Sequence, residues 1–265
     1  MNREVNDKAS YNKQVDMLPL LGGAAEEGVL KKLVAAELQV AEDQILGSDL
    51  FLCIREKAAV WGCNEEFISS GRLDDQQCVF GILKGFLNAH SAQSINVAAF
   101  FDNEEVGSGT KQGAASTFLA ETLERICDAL GLTLRTMAAS SFLLSCDNAH
   151  GVHPNHPEKA DPTNRPYLNG GIVIKFHGSQ KYTTDGISAA KMKDYCERAK
   201  VPYQTYANRS DIAGGSTLGN ISTAHVSVSS VDIGLPQLAM HSAVETAGMM
   251  DTEYAVRALK EFWGE

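Results

Sequence analysis

No two of the six cysteines form a C-x-x-C pair. They stand apart at Cys53, Cys63, Cys78, Cys127, Cys146 and Cys196, which argues against a disulfide framework and against a thiolate zinc knot. They read as reduced, mostly buried thiols of a cytoplasmic protein. No block of lysine and arginine occurs and the net charge is -10, so no nucleic-acid partner is expected. Nor does such a charge attract an anionic membrane surface. No apolar run reaches the roughly 18 residues of a membrane span. Met1–Lys13 is polar, without a signal-peptide pattern. Internal repeats and low-complexity tracts are absent, and no histidine stands before His90.

What is present is ordinary globular material: 44% apolar and 21% charged residues over 265 positions, enough for a real core. Asn2-Arg3-Glu4-Val5-Asn6 has no helix or strand pattern. Residues 26–40 have helical spacing through Leu30, Leu33, Val34 and Leu38. Leu50–Ile54 and Ala58–Trp61 read as strands or a hairpin. Helices are expected over Asp74–Ala89, Gln112–Leu130, Gly186–Lys200 and most of Ser242–Trp263. Strands are expected over Ile95–Phe101, Ser141–Ser145, Gly171–Phe176, Tyr203–Tyr206 and Val226–Ile233, the first of them buried. Strands alternating with helices predict an α/β layer with a mostly parallel central sheet. Residues 154–171, rich in Pro, Asn and Gly, read as a long functional loop.

Chemistry gathers where these elements end, as it does in such sheets. Phe101-Asp102-Asn103-Glu104-Glu105-Val106-Gly107 sets two adjacent carboxylates beyond an apolar strand. Neighbouring side chains in extended backbone point opposite ways, so one can hold a metal while the other faces a water. Three more clusters share the theme: Ser70-Gly71-Arg72-Leu73-Asp74-Asp75, the stretch Cys146–Pro154 with Asp147, His150 and His153, and Pro236–Ser242 with His241. Taken singly, Asp74 reads as a helix N-cap, Asp147 as a turn residue and His241 as a hydrogen-bonded histidine. Together they form an oxygen and nitrogen donor set suited to Zn, Mn or Co rather than Ca.

In order, Gly-Arg-Leu-Asp (71–74), Asp-Asn-Glu-Glu-Val-Gly-Ser (102–108), Asp-Asn-Ala-His-x-Val-His-Pro-Asn (147–155) and Pro-Gln-Leu-Ala-Met-His-Ser (236–242) resemble the aspartyl aminopeptidase family of dinuclear zinc exopeptidases. Asp75 stands where that family usually has Asn. The resemblance implies that Asp74 bridges two divalent ions, Zn2+ first and Mn2+ or Co2+ as alternatives. It implies that Glu105 and His241 bind one ion and Asp147 the other. Glu104 would be the general base that takes a proton from the attacking water. His150 and Lys175 would line the substrate pocket, Lys175 pairing with an acidic side chain; on its own, Lys175 also reads as a surface lysine at a strand end. Arg209 and Asp211 fall in a family-like loop without an assigned role. The implied partners are peptides with an acidic N-terminal residue and further copies of the chain in a homo-oligomer.

One implied ligand has no counterpart. The family carries a histidine in a His-x-Asp motif upstream of the Asn-Arg-Glu segment, and this sequence contains no His-x-Asp. The chain therefore resembles the C-terminal portion of such an enzyme, with 1–69 the remainder of an oligomerisation domain and 70–265 most of the catalytic domain. One ion or none would be well held, and activity impaired. His153 and His156 are expected to be structural loop residues rather than substitutes. Two other readings stay open: a related dinuclear carboxypeptidase or deacylase, and a catalytically inactive assembly fragment.

Overall fold

The computed structural model describes residues 10–23, 27–91 and 93–264. The expected patternless segment at 2–6 and the start of the expected 26–40 helix lie outside them. The chain divides into two compact units, Met1–Leu52 and Cys53–Glu265. In the first, helix α1 spans Val29–Leu38. Gln39 ends it in the left-handed region (φ 56), its N–H returning to the carbonyls of Ala35 and Ala36. Only Ala35 of this helix is buried, while Leu30, Leu33 and Leu38 are exposed.

The second unit carries two sheets. In one, β1 (Ala59–Trp61), β2 (Phe67–Ser70), β9 (Glu245–Gly248), β8 (Pro236–Leu238) and β4 (Ala149–His150) lie in that order. All pairs are antiparallel except β4 with β8. The other has the order β3 (Phe142–Cys146), β7 (Ser229–Gly234), β5 (Ile172–Phe176), β6 (Tyr203–Ala207). Here β3 runs parallel to β7 and β5 parallel to β6, but β5 meets β7 antiparallel. The central sheet is thus mixed, two parallel pairs about an antiparallel seam. Backbone bonds from Asp147 N–H to Ile233, Ala149 to Leu235 and Gly151 to Gln237 carry the β3–β7 pairing straight into β4–β8. The polar residues between β3 and β4 are thereby fixed at a sheet junction.

Helices α2 (Leu73–Asn88), α5 (Gly186–Ala199) and α7 (Met249–Trp263) cover the main core. Ile172, Ile174, Val231 and Ile233 of the sheet pack there with Met192, Cys196, Ala255 and Leu259. Helix α2 approaches α7 closely because of two glycines. A Cβ on Gly81 would stand 2.9 Å from the Ala255 Cβ, and one on Gly85 2.8 Å from the Leu259 Cβ. A smaller cluster joins α3 (Phe118–Ala129) and α4 (Leu134–Ala139) through Leu119, Ala138 and Val226. Helix α6 (Leu218–Thr223) lies against β3 and β7. All six cysteines are free; four are buried, and Cys53 and Cys63 are exposed.

The expected buried strand Ile95–Phe101 is corrected by the structure. It joins neither sheet, and Ile95, Val97 and Phe100 are exposed. Its composition is that of a strand, but no described strand lies beside it to accept the pairing, and β-propensity is realised only on a neighbour. Two further expectations shift. The helix expected from Gln112 begins at Phe118. Ser242–Trp263 opens with β9 before α7 starts at Met249.

Candidate metal centre

Local backbone turns aim the polar groups. Arg72 (φ 61) precedes α2, Asn103 (φ 59) and Gly107 (φ 97) bracket the single turn Glu104–Val106, and Ala239 (φ 58) and His241 (φ 65) follow β8. Left-handed non-glycine residues are uncommon and gather where a site is held in shape. Here three such turns converge.

His241 Nε2 lies 3.2 Å from Asp74 Oδ2 and 3.2 Å from Glu105 Oε2. Asp74, Glu105 and His241 can offer one ligand atom each, all within 4.8 Å of one another, and so can Asp74, Asp75 and Asp147. Asp74 belongs to both groups. Among the described residues no hydrogen-bond partner reaches its buried Oδ1, an arrangement costly unless a cation or donor satisfies it. The donor set therefore fits divalent ions: one position with carboxylates and an imidazole, suited to zinc, and one of carboxylates alone. The sequence reading did not include Asp75 in the second position.

Electrostatics carry the same message. Burial, then the Asp147 and Glu105 carboxylates, raise the Asp74 pKa to about 8. Burial and Asp147 also push Asp75 well above its ordinary value. Glu104 is raised by partial burial, with Asp147 and Glu105 adding to it. Like charges packed this closely favour protonation or a bound cation.

Two supporting residues escaped the sequence reading. The buried Glu245 carboxylate accepts the Asp74 N–H at 2.9 Å and the His241 N–H at 2.8 Å. Asn148, 2% exposed, donates its backbone N–H to Asp75 Oδ1 at 3.0 Å and its amide to the Leu73 carbonyl (3.0 Å) and Gln237 Oε1 (2.9 Å). Asn148 had a visible signal, since it follows Asp147 in the motif. Glu245 had none, standing outside the quoted motifs in a segment read as helix.

Every expected site residue lines one cavity of ≈ 310 Å³: Asp74, Glu104, Glu105, Asp147, His241 and, beside them, His150 and Lys175. Lys175 is not a surface lysine; it is 2% exposed. Its Nζ donates to Asp147 Oδ2 at 3.3 Å and to the Asn148 carbonyl at 2.7 Å. Burial lowers its pKa, but Asp147, Tyr182 and Asp232 outweigh that and hold it above the ordinary value. Tyr182, Tyr206 and Asn208 complete the wall. His153 and His156 stay outside, His156 Nδ1 being 3.1 Å from Glu158. Arg209 and Asp211 pair with each other at 2.6 Å, also away from the cavity.

Known proteins resemble this chain over nearly its whole length. The M18 family, aminopeptidase I zinc metalloprotease, matches residues 1–263. The chain belongs to the M18 family. It is 47% identical over 270 residues to a probable M18 family aminopeptidase 2 of Clostridium novyi (strain NT), covering 99% of this chain and 62% of that protein. A protein described in the same words from Pseudomonas aeruginosa (strain UCBPP-PA14) is 37% identical over the same shares. The M18 fold recurs in a chain of the Ape4 and Nbr1 complex solved by cryo-EM (TM-score 0.88, 32% identity, 98% of this chain and 55% of that one). It recurs again in the S. cerevisiae mApe1 dodecamer (TM-score 0.75, 27% identity, 88% and 54%). The chain spans 62% of the length of the two curated relatives.

Proposed function

We propose that this chain is the metal-binding part of an aminopeptidase that releases acidic residues from peptide N-termini, and that it is impaired by itself. The observation that carries the reading is that, among the described residues, Asp74 alone joins both potential metal positions, as a bridging carboxylate must. When bound, divalent ions supply Lewis-acid polarisation of the scissile carbonyl and a water acidic near neutral pH.

The chain's own groups then divide the work. Asp74, Glu105 and His241 would hold one ion, and Asp74 and Asp147, with Asp75 beside them, the other. Glu104 takes the proton of the attacking water and returns it to the leaving amine. Its raised pKa brings it nearer the neutral range where such a base works best. His150 and Lys175 receive the acidic side chain of the substrate. Lys175 already carries Asp147, so it serves mainly as the cationic floor beneath that side chain. The second position offers only carboxylates, a set better suited to Mg, Ca or Mn than to zinc, so one zinc is held well and the other poorly. Residues 1–69 serve assembly into a homo-oligomer; the exposed leucines of α1 and the dodecameric state of a structural relative support this.

Zinc content of the purified chain, together with turnover of Asp- and Glu-aminoacyl substrates, tests the proposal. We expect about one zinc per chain and weak hydrolysis that needs the free amine, vanishes in Glu104→Gln and falls on N-acetylation. Faster turnover of a leucyl substrate would overturn the specificity. Two tightly held zinc ions with full turnover would overturn the impairment.

A further inference from the structure

Two walls of the candidate metal centre are fastened to the sheet by one buried carboxylate. Asp232 of β7 is 1% exposed. Its Oδ2 accepts the Thr183 N–H at 2.5 Å and the Thr183 hydroxyl at 2.8 Å, and its Oδ1 accepts the Thr217 hydroxyl at 2.6 Å. Its own N–H donates to Thr184 Oγ1 at 2.9 Å. Asp232 itself is not part of the cavity lining. We propose that Asp232 is a positioning residue: it holds the Tyr182 segment and the segment Gly215–Thr217 in place and thereby sets the preference of the cavity for acidic side chains. This deepens the acidic-residue reading and rests on it.

Both segments are cavity wall. Tyr182, next to Thr183, lines the cavity, and the Lys175 ammonium lies 5.5 Å from its ring centre. Gly215, Ser216 and Thr217 line it as well. Lys175 and Asp232 flank the paired Ile174 and Ile233 on adjacent antiparallel strands. The local sequence serves the same end. Thr217 stands at the N-cap of α6, yet its hydroxyl makes no cap bond and goes to Asp232 instead. A Cβ on Gly219 would stand 2.5 Å from Asp232 Oδ1 and 2.8 Å from Ser145 Oγ, so a side chain there would drive α6 off the carboxylate. Burying a carboxylate is costly, and a neutral amide of the same shape would cost less if it served. It does not serve, because donors are aimed at both oxygens. A carboxylate accepts on both sides, whereas an amide accepts on one and turns an NH2 toward the donors on the other. The charge at this position is thus required by two walls at once. With both walls fixed, Lys175 acts through a narrow cavity. Loosened walls admit water, which weakens the hold of a charge on an acidic side chain far more than the contacts of a neutral one.

Asp232→Asn in the zinc-loaded, full 265-residue chain tests this by two readouts, neither of which is turnover. Amide exchange should quicken about tenfold in at least one of 181–185 and 215–218, the effect of roughly one lost hydrogen bond, with β5 and α7 unchanged. Calorimetric titration with L-aspartate and with L-leucine should show the ratio of their affinities falling by about tenfold for the same reason, at unchanged zinc content. A merely structural role would lower stability without moving that ratio. Thr217→Val, which removes one donor and keeps its shape, should quicken 215–218 alone and lower the ratio less; it decides the matter should Asp232→Asn misfold. Unchanged exchange in both segments, or quickened exchange with an unchanged ratio, would overturn the proposal. Failure of the acidic-residue reading shows instead in the parent chain, which would then bind aspartate no better than leucine; exchange alone then decides whether Asp232 holds the walls.

Discussion

Glu245 does at the residue scale what no ligand can do for itself. One buried carboxylate receives the backbone N–H groups of two residues 171 and 4 positions away, Asp74 and His241. It fixes the left-handed turn at His241 and the entry to α2 against each other. Glu245→Ala orphans both donors, and an orphaned buried donor costs about 1–3 kcal/mol. We expect zinc affinity to fall by about 10–100-fold, the range seen when groups orienting a ligand are lost. Glu245→Gln, which keeps an acceptor oxygen, should fall between. Zinc titration against a competing chelator reads both; equal affinity in all three proteins would show that Glu245 does not set the site. Lys175 offers a second prediction. Removing one member of a buried ion pair strands the other, at about 3–5 kcal/mol. Lys175→Met leaves Asp147 without its cation and the Asn148 carbonyl without a donor, so urea unfolding should show a loss of that order. A loss below about 1 kcal/mol would mean that the pair is solvated.

Elements were legible in proportion to how local their cause is. β5 and β7 are apolar runs whose burial shows in composition, and both lie within a few residues of their expected positions. Helix α5 was expected over Gly186–Lys200 and runs over Gly186–Ala199, its start capped reciprocally by Asp185 and Ser188. β4 and β8 were not, since each is two or three residues long and exists only through its partner. β9 was hidden because Glu245–Gly248 is a strand solely by pairing with β2 and β8. Ile95–Phe101 shows the converse, a strand-like sequence without a neighbour. Of the candidate site, the residues that share one cavity and their order along the chain were visible. Glu245, Asp75 and the commitment of Lys175 to Asp147 were not, because each depends on a contact made across the fold. The close approach of α2 to α7 is testable at this scale. Gly85→Leu drives its side chain into Leu259 and the backbone at Lys260, 3.2 Å from a Cβ at that position. Overpacking of this kind costs about 1–3 kcal/mol, which outweighs the roughly 1 kcal/mol that leaving glycine gains in helix propensity. A Gly85→Leu protein as stable in urea as the parent would mean that α7 moves aside freely.

For the whole molecule, the decisive quantity is how many protons the fold holds without metal. Asp74 is raised to about 8 and Asp251, by burial, to about 7; Asp75 and Glu104 are raised as well. An unfolded chain releases these protons near pH 4. The metal-free fold therefore binds more protons than the unfolded chain, and its stability falls as pH rises. The contribution of Asp74 is fully present below about pH 4 and lost as pH climbs through about 8. His150 acts in the opposite sense, because burial lowers its pKa, but that effect is confined to the acid side of its ordinary value near 6.5. Comparing pH 6.5 with pH 8.5 leaves most of the His150 effect behind, while the buried Cys78 and Cys196 thiols, also raised, add to the carboxylates in the same direction. A chelator-treated sample should melt a few degrees lower at pH 8.5. Excess zinc should remove or reverse the difference, since an ion that binds only the folded state stabilises it by mass action and competes with the same protons. Calorimetric titration with zinc at pH 7, in buffers of different ionisation enthalpy, should register release of about one proton per ion, the proton of Asp74. Binding without proton release would mean that the carboxylates are already ionised in the metal-free chain, and that their charge is balanced by something other than a proton or a cation at this centre.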